Sequence, residues 1–444
     1  MTTFTEGFDN YITRVGDTLF EGQDEFRFIS INVPNLHVNE DPLPHWHRVD
    51  EWELHDAFQT LQQLGSRITR CYTLSIRNGI RPGDGIAHIY GPGQYEEELF
   101  KDLDLVLALA HQYHIRLIIP FIDHWDWFGG VKHFAAFRKK ESHEFYTDPQ
   151  VIADFKDVIT YVMNRTNTYT GIQYKDDKAI LAWETGNELD SPDAWIAEIV
   201  EHIKSQHPSQ LILDGNYGVS EASLSHPDID IVSNHYYVDR GVDFFARLSS
   251  DRERSKGKKA FIVGEFGHED PTVNVNLLKE TIKNGSTGAM LWSLRYHNKD
   301  GGFYFQGDPE DCNASHAYFW PESPIRAGGA AEIKMNALRE CAYAIAGKPI
   351  PNVPTPTAPI LLPISSVTDI RWRGSVGATS YILERSTTEN GPWEVVEDHI
   401  VEYTVPFIPY SDVPPSAGLF YYRMRAVNLS GQSEASNIES ILVP

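Results

Sequence analysis

The feature that most restricts the fold of this chain is a regular alternation, between residues 26 and 347, of short apolar runs with longer amphipathic stretches. The short runs, which predict buried strands, are Phe26–Val33, Arg67–Thr73, Arg116–Ile122, Ala179–Glu184, Gln210–Asp214, Ile229–His235, Lys259–Glu265 and Gly288–Ser293. The longer stretches, which predict helices, are Asp50–Leu64, Gln94–Tyr113, Pro149–Thr168, Asp193–Gln206, Val242–Arg254, Val273–Asn284 and Ile333–Ala346. Repeated strand–helix units force parallel strands with right-handed crossovers, so we predict an α/β fold, a (β/α)8 TIM barrel.

An open, doubly wound sheet is the competing topology for the same alternation. Such a sheet usually carries a Gly-rich phosphate-binding turn after its first strand, and this sequence has none at that position. We therefore favour the barrel, with residues 1–347 as one domain.

The pattern of residue types along the sequence changes after residue 347. Residues 348–363 are rich in Pro, which fixes φ and resists helix, so they predict a semi-rigid linker. Beyond the linker, short alternating runs predict strands at Thr368–Trp372, Ser380–Glu384, Trp393–Glu397 and Tyr421–Val427. Residues 364–444 therefore predict a small all-β, immunoglobulin-like sandwich.

Composition and charge exclude several classes of partner. The 444 residues include 38 basic and 62 acidic side chains, a net charge of −24, which repels nucleic acid and anionic membranes and suits a neutral substrate. Three cysteines are too few and too scattered for a disulfide framework or a zinc site, and we predict no metal and no cofactor. No basic and apolar leader is visible at the start, so we expect a cytoplasmic protein, or a secreted one if the sequence is a mature form.

Two of the predicted strands end in a glutamate close to a glycine. The first lies in Ile180-Leu-Ala-Trp-Glu-Thr-Gly-Asn187-Glu188, and the second in Phe261-Ile-Val-Gly-Glu265-Phe-Gly267. In a β/α barrel the carboxyl ends of the strands meet at one rim, where the chemistry takes place. Two carboxylates at one rim are what the hydrolysis of a glycosidic bond requires.

The order of these two glutamates resembles glycoside hydrolase family 5 of clan A. Asn187-Glu188 follows the fourth predicted strand, and Glu265 ends the seventh. The resemblance implies that Glu188 is the acid/base, that Glu265 is the nucleophile, and that the reaction retains the anomeric configuration, with the carboxyl groups about 5–5.5 Å apart. For the proton-donating role we expect burial and the neighbouring negative charge to raise the pKa of Glu188.

Other positions match the substrate-binding pattern of the family one at a time. The resemblance implies that Arg70 pairs with Glu265 and keeps it ionised, and that Tyr237 donates a hydrogen bond to Glu265. It also implies that Trp292 forms the floor of the sugar site. We expect Trp125, in the loop after the third strand, to stack on a sugar ring. The predicted substrate-binding residues are Arg70, His124, Trp125, Asn187, His235, Tyr237 and Trp292.

The choice of sugar depends on finer features. The segment Trp183-Glu-Thr-Gly-Asn-Glu-Leu189 is similar to the corresponding strand of the β-mannan-active members of the family. The Asn-Glu-Pro ending that is common among the cellulases of the family is absent. A long loop after the eighth strand, Arg295–Phe305 with an extension through His316–Trp320, could close one end of the cleft. We therefore predict an exo-acting β-mannosidase on neutral β-linked oligosaccharides. The alternatives are an endo-β-1,4-mannanase, another family 5 β-glycosidase of cellulase or glucanase type, or a non-catalytic carbohydrate-binding protein.

The C-terminal region resembles a fibronectin type III domain. The similarity rests on Ile370-Arg-Trp372, on Tyr381-Ile-Leu-Glu-Arg385 and on Tyr421-Tyr-Arg-Met-Arg-Ala-Val-Asn428. The resemblance implies that Trp372 lies in the core of the sandwich. The sequence leaves the role of this region and the oligomeric state open.

Overall fold

Eight parallel strands form one sheet that closes almost completely into a barrel. The computed structural model describes residue 4 and residues 6–41, 46–77, 86–238, 243–306, 317–322, 326–402 and 407–444. The barrel strands β1–β8 are Phe28–Ile31, Ile68–Arg70, Arg116–Pro120, Ile180–Glu184, Leu211–Asp214, Ile231–Tyr236, Ala260–Phe266 and Gly288–Leu291. Each strand from β2 to β8 pairs with the next along the chain, and β8 pairs with β1. One bond, from the Val33 amide to the Arg70 carbonyl at 3.1 Å, joins the ends of β1 and β2. The predicted eight-stranded barrel architecture is confirmed.

A helix follows every barrel strand. The helices α1–α8 are Glu51–Gln63, Glu97–Tyr113, Pro149–Met163, Asp193–Ser205, Glu221–Ser225, Phe244–Ser255, Pro271–Lys283 and Ala330–Ile345. Local chemistry fixes several of their starts. The Asp50 side chain accepts from the first turn of α1 in a capping box with Glu53, and Asp148 caps α3 just before Pro149. A further short helix, Gly130–Ala136, lies in the loop after β3.

Two helix predictions are corrected in detail, and one helix that follows a barrel strand was missed. The helix predicted to reach Thr168 ends at Met163, where Asn164 forms its C-cap. Gln94–Tyr95, predicted as the start of a helix, is a short strand that pairs with Ile89–Gly91. The five-residue helix α5 was not predicted, because it is too short to show a helical period.

An antiparallel three-stranded sheet closes one end of the barrel. Its strands are Ile12–Val15, Thr18–Glu21 and Asp24–Glu25, and the sequence analysis did not predict it. Ile12, Leu19 and Phe26 pack in one apolar cluster with residues at the amino ends of the barrel strands, including Phe28 and Ile68. The carboxyl end of the barrel, at the opposite side, is therefore the end available for a cleft.

The C-terminal region is built from antiparallel strands. Ile360–Leu361 pairs with Trp372–Arg373, and a larger sheet contains Glu394–Ile400, Ser380–Ser386, Gly418–Asn428, Gly431–Gln432 and Glu439–Val443. Trp372 is fully buried among Tyr381, Tyr422 and other apolar side chains, as the sequence predicts. Residues 348–359 are in neither helix nor strand. The all-β character agrees with the prediction, whereas the fibronectin type III assignment and the exact domain limits stay predictions.

A hairpin in the loop after β8 reaches into this C-terminal region. Its tip runs from Asn298 to Gly302, where the Asn298 amide donates to the Gly302 carbonyl at 2.7 Å. Phe407 lies so close to Gly302 that a Cβ there would come within 2.7 Å of the ring. At the base of the hairpin the buried His297 ring places Nδ1 at 2.8 Å from Asp56 of α1 and Nε2 at 3.6 Å from Glu402 of the C-terminal region. One imidazole thus bridges the barrel and the C-terminal strands.

The charge on this imidazole makes stability depend on pH. Although burial opposes it, the carboxylates of Asp56 and Glu402 raise the pKa of His297 from 6.5 to about 10. A group whose folded pKa is raised contributes stability that is complete below pH 6.5 and is lost as pH rises towards 10. We expect the unfolding free energy of the wild type, relative to His297→Gln, to fall across this window by up to about 1.4 kcal/mol per pH unit. Urea unfolding of both proteins at several pH values measures this difference in unfolding free energy.

A matched control is available for this experiment. His143 is exposed, and His143→Gln should follow the wild-type curve at every pH. Parallel curves for the wild type and His297→Gln between pH 6 and pH 10 would show that the bridge carries no charge of consequence.

Candidate active site

A cleft of about 620 Å³ opens at the carboxyl ends of the barrel strands. Its lining comes from the ends of β2–β8 and the loops that follow, and consists of Tyr72, His124, Trp125, Trp127, Asn187, Glu188, Leu189, Asp190, Tyr217, Tyr237, Glu265, His268, Trp292 and Gln306. A cavity of about 680 Å³ lies at the opposite end of the barrel, near Phe8 and Glu21. There the carboxylate of Glu21 forms ion pairs with Arg67 and Arg116, which neutralise its charge. Active sites of β/α barrels lie at the other end. The cleft at the carboxyl end is the candidate active site.

Glu265 is a buried carboxylate at the end of β7. It accepts hydrogen bonds from Nη1 of Arg70 at 2.9 Å and from the hydroxyl of Tyr237 at 2.7 Å, the two contacts that the family resemblance implies. Burial nevertheless raises the pKa of Glu265, and it outweighs the opposing effects of His235 and Arg70. Arg70 therefore acts in the direction that the resemblance implies, towards the ionised carboxylate, while burial acts against it.

Besides Glu265, Arg70 binds two other side chains. Its guanidinium is fully buried at the end of β2 and binds Glu184 through Nε at 2.6 Å and Nη2 at 2.9 Å. Nη2 also donates to Oδ1 of Asn187 at 2.8 Å. Glu184 ends β4 and was not predicted as a site residue, although its position at the end of an apolar run was a signal for it.

Glu188 occupies the turn after β4 in a left-handed backbone conformation, with φ of 49°, which is uncommon for a residue other than glycine. Its Oε1 lies 2.6 Å from Nδ1 of His235, and its Oε2 accepts from Nε1 of Trp125 at 2.6 Å. Although burial favours the neutral acid, His235, Trp125 and Arg70 together lower the pKa of Glu188 to about 2. The expected rise in the pKa of Glu188 is therefore wrong for the free protein.

His235, from β6, lies between the two glutamates. Its Nδ1 is 2.6 Å from Glu188 and 3.4 Å from Oε2 of Glu265. The ring is buried, which disfavours its charge, but Glu265 and Glu188 reverse that effect and raise the pKa of His235. Gly264, the residue before Glu265, permits this arrangement, since a Cβ there would lie 2.7 Å from Nε2 of His235. His235 therefore links the two carboxylates, and its raised pKa favours the imidazolium form between them.

The two carboxylates are close to each other. One oxygen of Glu188, one of Glu265 and a ring nitrogen of His235 all lie within 4.8 Å of one another. A retaining glycosidase places its carboxyl groups about 5–5.5 Å apart, whereas an inverting one needs about 6.5–9.5 Å for an intervening water. The spacing would also suit a metal ion, but the short contacts of His235 to both carboxylates account for it without one.

Asn187 is held firmly beside Glu188. Its Nδ2 donates to Oδ1 of Asp123 at 2.9 Å and to the hydroxyl of Tyr72 at 3.0 Å, while its Oδ1 accepts from Arg70. Tyr72 donates in turn to Oδ2 of Asp123 at 3.0 Å, and burial raises the pKa of Asp123 to about 7. This network fixes the amide of Asn187 and, through the next residue, the position of the acid/base candidate.

Aromatic rings form much of the cleft surface. Trp292, at the end of β8, is almost fully buried and lies 5.5 Å from the ring of Tyr72 and 5.8 Å from that of Trp127. These rings belong to an apolar cluster that also contains Val38, Trp46 and Phe128 from neighbouring loops. Trp125, in contrast, is 55% exposed at the rim. Flat apolar rings around two carboxylates suit a ligand with alternating apolar faces and hydroxyl edges.

The structure brings all the predicted site residues together. Seven line the cleft: Glu188, Glu265, His124, Trp125, Asn187, Tyr237 and Trp292. Arg70 and His235 lie directly behind it in contact with the glutamates. The sequence analysis missed Glu184, the last residue of β4, and several residues in loops after strands that have no period of their own, among them Tyr72, Asp123, Tyr217, His268 and Gln306. Of the loop after β8, residues 307–316 lie outside the described residues.

Comparison with known proteins places this site in a family. Residues 132–250 match the model of the GH family 5 beta-mannosidase-like family. A protein of Arabidopsis thaliana, provisionally named mannan endo-1,4-beta-mannosidase 4, is 31% identical over 310 residues, which cover 61% of this chain and 74% of the relative. Mannan endo-1,4-beta-mannosidase 1 of Oryza sativa subsp. japonica is 29% identical over 52% of this chain and 68% of its own.

The fold is shared more widely. The solved endo-beta-1,4-mannanase of Thermotoga petrophila superposes with a TM-score of 0.63 at 18% identity, over 95% of this chain and 99% of the other. Other curated matches extend over between 36% and 81% of the relatives' own lengths. With the barrel, the paired glutamates and these relatives in agreement, the chain belongs to glycoside hydrolase family 5 and is a glycoside hydrolase.

Proposed function

We propose that this protein is a retaining glycoside hydrolase that cleaves internal β-1,4-mannosidic bonds of mannans and manno-oligosaccharides. The observation that carries the mechanism is the pair of carboxylates, Glu188 and Glu265, with oxygens within 4.8 Å and a different set of partners on each. The names of the relatives, which are mannan endo-1,4-beta-mannosidases, support mannan as the substrate. The substrate is neutral, in keeping with the net charge of −24.

In the first step Glu265 attacks the anomeric carbon and becomes a glycosyl ester, while the leaving oxygen takes a proton from Glu188. Arg70 and Tyr237 already donate to Glu265 and orient one of its oxygens for attack. Glu188 is deprotonated in the free protein, but its Oε1 lies 2.6 Å from Nδ1 of His235, whose pKa is raised. The imidazolium therefore supplies the proton that Glu188 passes to the leaving oxygen.

In the second step Glu188 acts as base. With Glu265 esterified, one negative charge next to Glu188 is gone, which favours its carboxylate form. It takes a proton from water as the water oxygen bonds to the anomeric carbon and the ester bond to Glu265 breaks. Two displacements on opposite faces return the original anomeric configuration.

The sequence analysis predicted an exo-acting enzyme. We now favour internal cleavage, because both relatives are named as mannan endo-1,4-beta-mannosidases. One observation favours exo action as a second candidate. The apolar cluster of Val38, Trp46, Tyr72, Phe128 and Trp292 lies beside the cleft, which Tyr72 and Trp292 line. If this cluster limits the cleft on its side, fewer sugar units can bind beyond the cleavage point.

Removal of either glutamate tests the catalytic roles. We expect Glu188→Ala and Glu265→Ala each to lower kcat/KM on mannohexaose by at least about 10³-fold, since each carries a proton transfer or the covalent step. With an activated aryl glycoside and azide, Glu188→Ala should form the β-glycosyl azide and Glu265→Ala the α-glycosyl azide, which NMR distinguishes.

The control for this pair is a glutamate outside the cleft. Glu198 lies on α4, where it pairs with Lys156, and Glu198→Gln should keep wild-type turnover. Wild-type turnover in Glu188→Ala or Glu265→Ala, or the opposite azide anomers, would contradict the assigned roles.

The product pattern tests the mode of attack. On mannohexaose labelled at the reducing end, internal cleavage predicts mannobiose, mannotriose and mannotetraose before free mannose, and a rapid fall in the viscosity of mannan solutions. Chromatography of the first products, with cellohexaose as the control sugar, measures both the mode and the sugar. Mannose as the sole early product would instead support the exo-acting candidate, and faster cleavage of cellohexaose would refute the choice of sugar.

A further inference from the structure

The contact between Trp125 and Glu188 differs from the stacking role that the sequence suggests for this ring. The indole Nε1 lies 2.6 Å from Oε2 of Glu188, while 55% of the residue surface stays exposed at the cleft rim. The neighbouring ring of His124 meets it edge to face at 5.0 Å, which fixes its orientation. An indole N–H is a donor only, so its strongest partner is an acceptor that carries negative charge.

The two oxygens of Glu188 therefore have different partners. Oε1 contacts His235, which can give up a proton, whereas Oε2 contacts Trp125, whose indole N–H donates a hydrogen bond but does not protonate a carboxylate. The His235 contact serves both protonation states of Glu188. The Trp125 contact favours only one of them, the carboxylate.

We propose that Trp125 is a positioning residue for Glu188, whose indole N–H orients and stabilises the carboxylate form for the step in which Glu188 removes a proton from water. The inference rests on the proposed function and deepens it. In that step the water oxygen forms its bond to the anomeric carbon, and its proton passes to Glu188. The electron pair of the breaking ester bond returns to Glu265, and Glu188 passes the proton back to His235, which restores the free protein.

Other charged or titratable groups also act on Glu188, and they come from four strands and the loops after them. They are Arg70, Tyr72, Asp123, His235, Tyr237 and Glu265. Five of the six are buried and Tyr237 is partly buried. Trp125 contacts Asp123 through its backbone amide, which a change of the ring leaves in place. A change confined to the exposed Trp125 ring therefore alters one donor to Glu188 and leaves this set in place.

Trp125→Phe is the decisive variant, because phenylalanine keeps an aromatic face at the rim and removes the N–H. The substrate is the 2,4-dinitrophenyl β-glycoside of mannobiose, whose leaving group departs without a proton, so kcat reports the second step. The acidic limb of kcat against pH should move upward by about one pH unit, because the carboxylate has lost a hydrogen bond. At the pH of half-maximal wild-type activity kcat should fall about tenfold, whereas kcat/KM should change less than about twofold.

The matched control is Tyr169→Phe, an exposed aromatic residue outside the cleft whose ring meets that of Phe4 edge to face. Its acidic limb should coincide with that of the wild type, whatever its KM. Thermal unfolding of all three proteins verifies that they are folded. An acidic limb that stays in place in Trp125→Phe overturns the proposal, and a fall in kcat/KM alone assigns the ring to sugar stacking. If the wild type releases no dinitrophenol and does not cleave mannohexaose, the proposed function fails first.

Discussion

The buried guanidinium of Arg70 is the interaction on which the geometry of the site depends. It lies at the end of β2 and joins Glu184 and Asn187 at the end of β4 to Glu265 at the end of β7. A buried charge is tolerated only when it is paired and its donors are satisfied, and removal of one partner of such a pair costs about 3–5 kcal/mol. Because the fork of arginine donors is planar and rigid, it fixes the relative positions of strand ends that are distant in the sequence.

This arrangement also explains why the two glutamates differ electrostatically. One arginine faces two buried carboxylates, so burial still dominates at Glu265 and raises its pKa. Glu188 lies nearer to His235 and to the rim, and two short hydrogen bonds lower its pKa to about 2. The raised pKa of His235 favours the imidazolium form between these two carboxylates. The environment, and not the residue type, assigns the two roles.

The sequence predicted the parts of this system that repeat or that end a strand, and not the parts that depend on tertiary contacts. Eight apolar runs were sufficient for the barrel, and the positions of Glu188 and Glu265 on the fourth and seventh runs were sufficient to pair them. The role of Glu184 depends on which side chain Arg70 meets across the barrel, which no local pattern encodes. The direction of the pKa shifts was missed for the same reason, since burial and the place of His235 are properties of the folded chain.

The loop after β8 connects the cleft to the C-terminal strands through a short path of contacts. Trp292 and Gln306, which line the cleft, stand on either side of the hairpin whose base is held by His297. Arg295, between them, is buried against Asp41 at 2.5 Å and also donates to Gln306 at 3.2 Å. Since the tip of the hairpin packs on Phe407 and its base pairs with Glu402, the C-terminal strands support one wall of the cleft. The C-terminal region supplies no carboxylate to the site. It nevertheless supports the shape of the cleft, through the packing of Phe407 and the ion pair of Glu402 with His297.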